Sequence, residues 1–241
     1  MPVYYILEFD IKPATEGEEG MEVVEGLKVD IKREIIDKFH DLYYSNKKET
    51  WLATKWRGVF VAKCPLDLWV YQEIIQDTQP DIIIETGTAF GGSALYLKDI
   101  LHMHKSSGKV ITIDTNPLGH FKDEDGVIQL VGDSISPIIV NFVKSVIGID
   151  DKVMVILDSD HSQEHVLKEL NVWASFVSKG CYLIVEDTNV YGHPVYKEHG
   201  PGPMEALEEW LPDHVEFEHD AWCERLLMTF NPKGYYKRVR V

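Results

Sequence analysis

Residues 82–93 read IIIETGTAFGGS, and this stretch decides the fold. Three consecutive isoleucines are followed by a turn containing Gly87, Gly91 and Gly92, and residues 93–102 then carry apolar side chains at helical spacing. A short, continuous apolar run with a glycine turn and a helix behind it is typical of a buried strand that leads through a tight turn into a helix. The stretch therefore predicts one strand–turn–helix unit of an α/β protein.

The same pattern recurs along the chain. Four more short apolar runs follow, at Val110–Ile113, Val127–Val131, Val153–Leu157 and Cys181–Val185. Helical spacing is found at Ile31–Tyr44, Leu66–Asp77, Ile135–Ile147, Val166–Val177 and Met204–Leu211, and residues 226–231 predict a late strand. Alternating strands and helices with continuously apolar strands predict a Rossmann-like α/β fold, with a mostly parallel central sheet and helices on both faces.

The first thirty residues differ from the rest. Residues 13–20 read PATEGEEG, an acidic stretch with two glycines that offers little to pack. A chain of 241 residues can bury a single large core, and α/β domains of this size commonly stay undivided. We therefore predict an N-terminal arm or extension over 1–30 and one domain over 31–241. Whether the arm serves as a lid or in a homo-oligomer contact stays open.

Composition restricts the partners. The chain has 24 basic and 40 acidic residues, a formal net charge of −16, which would repel nucleic acid and anionic membranes. Three cysteines without paired spacing indicate reduced thiols rather than a disulfide framework or a zinc site. No stretch approaches the roughly 18 apolar residues of a membrane helix. We expect a soluble, cytoplasmic protein that acts on a small molecule.

Acidic residues stand where the first strands end. Open parallel sheets bind ligands outside the carboxyl ends of their strands, and Glu85 and Asp114 end the first two. The turn lacks GxGxxG spacing, and Glu85 would repel a dinucleotide pyrophosphate but suit the cationic groups of S-adenosylmethionine. Asp114 can accept ribose hydroxyls, and Asp133-Ser134 can meet the adenine. The predicted cofactor-binding residues are Glu85, Gly87, Thr88, Gly91, Ser93, Asp114, Asp133 and Ser134.

Three further acids follow the fourth and fifth strands. Asp158 ends one, Glu186-Asp187 end the other, and neighbouring parallel strands would bring their carboxylates together. Because unpaired carboxylates repel one another, we predict that all three bind a hard divalent cation, Mg²⁺ or Mn²⁺. His161 is a candidate general base or substrate hydrogen-bonding group, although a solvated helix position stays open for it. His165 is assigned to a solvated helix face.

Several segments together resemble the cephalosporin hydroxylase / rhamnosyl O-methyltransferase family, from about residue 56 onward. They are IETGTAFGGS (84–93), LDSDH (157–161), VEDT (185–188), GHPV (192–195), GPGPMEA (200–206) and NPKGY (231–235). The resemblance implies a class I methyltransferase fold, S-adenosylmethionine and a magnesium-type site. It matches Asp158, Glu186 and Asp187 to the metal ligands of the family, and Glu85, Gly87 and Asp114 to its cofactor pocket.

The sequence therefore predicts a metal-dependent O-methyltransferase acting on a hydroxyl of a sugar, polyol or natural product. Asp158 and His161 are the predicted catalytic residues, and Tyr191, His193 and Trp56 the predicted substrate contacts. A hydroxylase or other oxidoreductase is disfavoured, because a non-haem iron triad uses two histidines and one carboxylate whereas this cluster is all carboxylate. A non-catalytic, cofactor-binding partner subunit remains open, and a nicotinamide dehydrogenase does not fit the glycine spacing.

Overall fold

The computed structural model of the protein describes residues 29–105, 107–121 and 126–240. The helices are α1 (Val29–Ser45), α2 (Pro65–Thr78), α3 (Gly92–His104), α4 (Pro137–Val146), α5 (Gln163–Trp173) and α6 (Pro203–Trp210). The strands are β1 (Lys55–Trp56), β2 (Val59–Phe60), β3 (Ile82–Thr86), β4 (Lys109–Asp114), β5 (Val127–Val131), β6 (Val153–Leu157), β7 (Tyr182–Val185), β8 (Phe217–His219) and β9 (Tyr235–Arg238). Short 3₁₀ turns supplement them, including one at Trp51–Ala53.

Seven strands form one sheet in the order β5-β4-β3-β6-β7-β9-β8, and β1 pairs with β2 in a separate hairpin. Strands β3 to β7 run parallel, whereas β9 is antiparallel to both of its neighbours. The predicted α/β fold with a mostly parallel sheet is confirmed. The chain moves outward from β3 to β5 and then returns to place β6 on the other side of β3. This reversal of strand order is where open α/β sheets bind ligands.

The core lies on both faces of the sheet. Strands β3, β6 and β7 are buried along their whole length, as their continuous apolar sequences predict. Ile82 and Ile84 pack into the layer that contains Trp173, while Ile83 points into the opposite layer with Tyr71. Each buried isoleucine contributes about 1.5–3 kcal/mol to folding. The two layers fix the strand ends in space, and those ends carry the polar residues.

Helix α1 confirms the predicted helix over 31–44 and packs beside the sheet on an aromatic cluster. The His40 imidazole stacks on Phe230, with ring centroids 5.6 Å apart, and the Tyr44 ring meets Phe230 edge-on. Trp51 joins the same cluster. The predicted boundary at residue 30 stays a prediction, since residues 1–28 lie outside the described residues.

The predicted strand over 226–231 is wrong: this segment is irregular, and the late strands are β8 and β9. Its backbone groups bond elsewhere, because the Phe230 N–H donates to Asp67 Oδ2 (2.8 Å) and the Asn231 N–H to Thr229 Oγ1 (2.9 Å). Helix α5 begins three residues earlier than predicted. Among the described helices, none combines the length and apolarity that a bilayer span requires.

Candidate active site

The turn between β3 and α3 depends on Gly87. Its φ is +90°, and its N–H donates to the Ile113 carbonyl at 2.7 Å. A Cβ at residue 87 would lie 1.8 Å from the backbone oxygen of Asp158. Glycine is therefore required both by the left-handed backbone conformation and by the space available.

Asp114 fastens this turn to the end of β4. Its Oδ2 accepts the backbone N–H groups of Thr88 (3.0 Å) and Ala89 (2.9 Å), and its Oδ1 accepts the Asn116 N–H (2.8 Å). Of the roughly four acceptor sites on the carboxylate, two on each oxygen, three are used, so Oδ1 keeps room for a ligand hydroxyl. Binding of ribose hydroxyls by Asp114 stays a prediction. The sequence did not indicate that Asp114 also holds the turn in place through these hydrogen bonds.

Beneath the turn lies a buried polar layer. The Thr112 hydroxyl donates to Glu85 Oε2 at 2.8 Å, and it lies 2.9 Å from the Thr88 hydroxyl. Glu85 Oε1 is buried and has no hydrogen-bond partner among the described residues. Burial raises the pKa of Glu85 to about 7. The charged and neutral forms of this carboxyl are therefore similarly populated near neutral pH.

A cavity of about 740 Å³ opens at the carboxyl ends of the parallel strands. This volume lies within the range of ligand pockets. The cavity is lined by Tyr44, Trp51, Ala62, Gly87, Ala89, Ile113, Asp114, Thr115, Gly132, Asp133, Ser134, Asp158, Ser159, Asp160, His161, His165 and Asp187. Of the predicted cofactor residues, Gly87, Asp114, Asp133 and Ser134 line it. The other four do not line it. Two of them belong to the polar layer beneath the turn, and two lie at the start of α3: Glu85 and Thr88, and Gly91 and Ser93.

At the β5 side of the cavity, Ser134 belongs to a network centred on buried Glu169. The hydroxyls of Ser134 and Ser159 donate to Glu169 Oε1 at 2.5 and 2.8 Å. His165 Nε2 lies 3.3 Å from the Ser134 hydroxyl, and His165 lines the cavity. The assignment of His165 to a solvated helix face is wrong, because its imidazole turns toward Ser134 at the cavity wall.

The opposite end of the cavity holds the predicted acidic cluster. Register pairs Leu157 with Val185, so the residues that follow β6 and β7 emerge side by side. Asp158, His161 and Asp187 each place one potential ligand atom within 4.8 Å of the others. The sequence suggested a cluster of carboxylates alone. This is wrong, because His161 lies within the cluster.

His161 is bonded to Asp187, with Nε2 3.0 Å from Oδ2. Burial by itself would lower the pKa of His161, but Asp187 and then Asp158 raise it to about 9. Although burial opposes the charge of Asp187, His161 holds the pKa of that carboxyl below its ordinary value. At neutral pH the two side chains therefore form an imidazolium–carboxylate pair at the cavity wall, joined by a charge-assisted hydrogen bond.

Lys63 is the main residue that sequence reasoning missed. Its Nζ lies 2.5 Å from Asp158 Oδ2 and 2.5 Å from Glu186 Oε1, and its side chain is only 2% exposed. Burial opposes its charge, but Asp158 and Glu186 hold the pKa of Lys63 above its ordinary value. Glu186, a predicted metal ligand, is bound to this ammonium and is absent from the described group that could hold a metal. No periodicity or motif marks Lys63, which stands 95 residues before Asp158.

Aromatic side chains form the wall beside the acids. Tyr44, at the end of α1, and Trp51, in the following 3₁₀ turn, both line the cavity, with ring centroids 5.1 Å apart. The Trp51 indole N–H donates to the Tyr44 carbonyl at 3.1 Å. The sequence placed Tyr44 at the end of a helix and Trp51 in the segment after it. No pattern in the sequence indicated that either side chain reaches the strand ends.

The three predicted substrate contacts are not among the residues that line the described cavity. The Trp56 indole N–H donates to Asp99 on α3 at 2.8 Å. His193 Nε2 lies 2.8 Å from Glu205 at the start of α6. The Tyr191 ring covers Gly202, where a Cβ would come within 2.3 Å of it. These side chains hold the hairpin and the 191–202 loop in shape, and their contact with a substrate stays a prediction.

Sequence relatives cover most of the chain. The profile of the family described as Rhamnosyl O-methyltransferase/CmcI matches residues 48–239. A rhamnosyl O-methyltransferase of Mycobacterium tuberculosis is 35% identical over 210 residues, covering 85% of this chain and 85% of the relative. Its counterpart in Mycobacterium leprae is 33% identical over 209 residues, covering 85% and 90%.

Solved structures share the fold at low identity. CmcI in its apo form aligns with a TM-score of 0.62 and 19% identity, over 79% of this chain and 78% of that one. CmcI with Mg and SAM gives 0.61 and 19%, over 78% of each chain. An O-methyltransferase from Bacillus cereus in complex with SAH gives 0.51 and 13%, over 83% and 87%. The sheet described above is thus the class I methyltransferase sheet, and the chain belongs to the Rhamnosyl O-methyltransferase/CmcI family.

Proposed function

We propose that this protein is an S-adenosylmethionine-dependent O-methyltransferase that uses a divalent cation and methylates a sugar hydroxyl. The observation that carries the proposal is that one cavity joins the Gly87 turn and Asp114 to the cluster of Asp158, His161 and Asp187. A methyl donor and an acceptor hydroxyl bound in the same cavity would meet at the end of β6. Family membership and the 35% identity to rhamnosyl O-methyltransferases support the reaction class.

The cofactor would lie along the strand ends. Gly87 lets the backbone approach the ligand, and Asp114 offers acceptor lone pairs to ribose hydroxyls. Asp133 and Ser134, at the β5 side, would meet the adenine. When it is ionised, the buried Glu85 carboxylate beneath the turn would suit the cationic amino and sulfonium groups of the donor.

The acidic cluster fits a hard divalent cation. Asp158 and Asp187 offer carboxylate oxygens, and Mg²⁺ is commonly bound through one or two carboxylates together with water and substrate. The potential ligand atoms of Asp158, His161 and Asp187 lie within 4.8 Å of one another, close enough for a single cation to be held between them. When bound, the cation would bind acceptor oxygens and lower the pKa of the hydroxyl to be methylated.

His161 would remove the proton of the acceptor. Because Nε2 of His161 is bonded to Asp187, the other ring nitrogen, Nδ1, would accept the proton, and Asp187 would stabilise the imidazolium that results. This step needs the neutral imidazole, which is the major form above about pH 9. Asp158 and Asp187, which follow β6 and β7, would hold the cation to which the acceptor oxygen binds. We therefore assign His161 the role of general base, although it also belongs to the group of residues that could hold a metal.

The acceptor would rest against the aromatic wall. Tyr44 and Trp51 line the cavity next to Asp187, and aromatic faces pack well on the apolar C–H faces of pyranose rings. The rhamnosyl acceptor named for the mycobacterial relatives is a ring of this type. We therefore place a deoxyhexosyl or related glycoside against Trp51 with one hydroxyl directed at the cluster.

The test has two steps. Calorimetry first measures binding of S-adenosylmethionine to the chelator-treated protein. Transfer of an isotope-labelled methyl group is then measured with a panel of α-rhamnosides, other glycosides and polyols as acceptors. We expect donor binding without metal, and labelled product only when Mg²⁺ or Mn²⁺ is restored. Donor binding with no transfer to any acceptor would favour a non-catalytic partner subunit, and no donor binding at all would contradict the proposal.

A further inference from the structure

Glu169 is a buried carboxylate that no lysine or arginine neutralises within the described ranges. It lies on α5 with its side chain 0% exposed, and its one ion-pair partner in those ranges is His165, whose Nε2 lies 3.5 Å from Oε1. The other oxygen, Oε2, is buried and has no hydrogen-bond partner there. A carboxylate buried with so few partners opposes folding, which is typical of a residue that serves a function.

Oε1 of Glu169 accepts hydrogen bonds from two hydroxyl groups at the strand ends. Ser134, after β5, donates to it at 2.5 Å, and Ser159, after β6, donates at 2.8 Å. A serine hydroxyl has one hydrogen and two lone pairs. Because the hydrogen of Ser134 is directed at Glu169, only the lone pairs of its oxygen remain for a ligand in the cavity, which Ser134 lines. Glu169 therefore makes Ser134 an acceptor.

His165 does not offer Ser134 another acceptor. Its Nε2 lies 3.3 Å from the Ser134 oxygen. The hydrogen bond to Glu169 raises the pKa of His165 above its ordinary value, which favours a hydrogen on Nε2. A nitrogen that carries a hydrogen cannot accept the Ser134 hydrogen, so Glu169 is left as its acceptor in this network.

An acceptor at this point of the cavity distinguishes adenine from its deaminated counterpart. The exocyclic N6 amino group of adenine donates hydrogen bonds, whereas hypoxanthine has a carbonyl oxygen, O6, at the same position. A lone pair of Ser134 would attract the amino group and repel the carbonyl oxygen. Sites built around one hydrogen-bonding group reject an analogue that lacks it, because buried polar atoms are then left unpaired.

We propose that Glu169 is a positioning residue for the methyl donor: it fixes the Ser134 hydroxyl as an acceptor and thereby makes the cavity select adenine over hypoxanthine. The inference rests on the proposed function, in which Ser134 meets the adenine. It differs from a purely structural tie between α5 and the strand ends, because the loss of such a tie would weaken the binding of both bases equally.

The test is calorimetric titration of S-adenosylhomocysteine and S-inosylhomocysteine into the full-length protein. We expect the wild type to bind the adenosine compound about tenfold more tightly, the effect of one hydrogen bond. In Glu169→Gln this ratio should fall below about threefold, because a glutamine amide can donate to the Ser134 oxygen and release the hydroxyl hydrogen for O6. Ser134→Ala should lower the ratio to the same range, and the double variant should match Ser134→Ala.

Glu164→Gln is the matched control. Glu164 lies on the same helix, but its side chain is 82% exposed and paired with Lys168, so this variant should keep the wild-type ratio. The thermal midpoint of each variant checks that it is folded. If Glu169→Gln does not fold, Ser134→Ala decides, because Glu169 acts through that hydroxyl: an unchanged ratio overturns the inference, and a ratio below about threefold supports it.

The outcomes are distinct. Equal weakening of both compounds in Glu169→Gln, at an unchanged ratio, would make Glu169 structural and overturn the inference. A wild type that binds both compounds equally well would also overturn it, as would a ratio that is lost in Glu169→Gln but kept in Ser134→Ala. Failure of the wild type to bind S-adenosylhomocysteine at all would overturn the proposed function as well.

Discussion

Gly87 lies so close to the Asp158 backbone that a Cβ at residue 87 would come within 1.8 Å of the Asp158 carbonyl oxygen. The cofactor turn after β3 and the acid that ends β6 therefore share one packed boundary. Any side chain at residue 87 would push Asp158 away from Asp187 and distort the turn that Asp114 holds. We therefore expect a change at residue 87 to affect donor binding and the acidic cluster together.

Gly87→Ala should accordingly lose S-adenosylmethionine binding and cost roughly 2–4 kcal/mol of stability, from overpacking and left-handed strain together. Calorimetry and urea unfolding measure the two effects. Gly180→Ala is the matched control, because Gly180 has a φ of +85° but open space around its Cβ position. It should cost about 1 kcal/mol and bind the donor normally. Normal donor binding by Gly87→Ala would contradict the placement of the cofactor.

His161→Gln should lower kcat by about 10²–10⁴-fold, the usual contribution of a general base, while Mn²⁺ affinity stays within threefold of the wild type. Steady-state kinetics and metal titration on the same preparation check both. His219→Gln is the control, since His219 makes a similar bond to Glu224 (2.6 Å) and is not among the cavity-lining residues. Loss of Mn²⁺ binding in His161→Gln would show that the imidazole is a ligand instead.

Trp51→Ala should raise the KM for a glycoside acceptor about tenfold, because one face of the sugar loses an aromatic contact worth about 1.4 kcal/mol. The dissociation constant of S-adenosylmethionine should change less than twofold. Trp222→Ala, which removes an indole that is 70% exposed and is not among the cavity-lining residues, should leave both values unchanged. A Trp51→Ala variant with wild-type KM would rule out the aromatic wall as the acceptor surface.

His40→Gln should change the acid stability of the protein. Burial lowers the pKa of His40 to about 4, against opposing contributions from Asp37, Asp41 and Asp187. The unfolded chain, with an ordinary histidine pKa near 6.5, binds a proton first as pH falls, so the wild type loses stability from about pH 6.5 down to about pH 4.

Replacement by glutamine removes that proton while retaining a hydrogen-bonding group for Asn189, whose amide lies 2.9 Å from His40 Nε2. Urea unfolding at pH 7.5 and pH 5 should show the wild type losing roughly 2 kcal/mol more than His40→Gln over this interval. Equal losses in the two proteins would mean that His40 is protonated in the folded state at pH 5.

Local patterns in the sequence were sufficient for the parallel part of the sheet and for the helices beside it. The continuous apolar runs gave β3 to β7, because strands covered on both faces need no polar side, and the glycine turn after Ile84 marked the ligand edge. Antiparallel β8 (FEH) and β9 (YYKR) were missed because each contains charged residues and neither is a continuous apolar run. Residues 226–231 were misread because their apolar side chains pack around irregular backbone whose N–H groups bond to Asp67 and Thr229.

For the site, the sequence determined that Asp114, Asp158, Glu186 and Asp187 gather at one edge, since each follows a strand and parallel strands end together. Only the tertiary structure decided which side chains meet. Lys63 reaches Asp158 and Glu186 across 95 and 123 residues. His161 is bonded to Asp187. The aromatic wall of Tyr44 and Trp51 comes from the end of α1 and the 3₁₀ turn after it, both outside the sheet. Such contacts depend on how layers pack, and no periodicity along the chain encodes that.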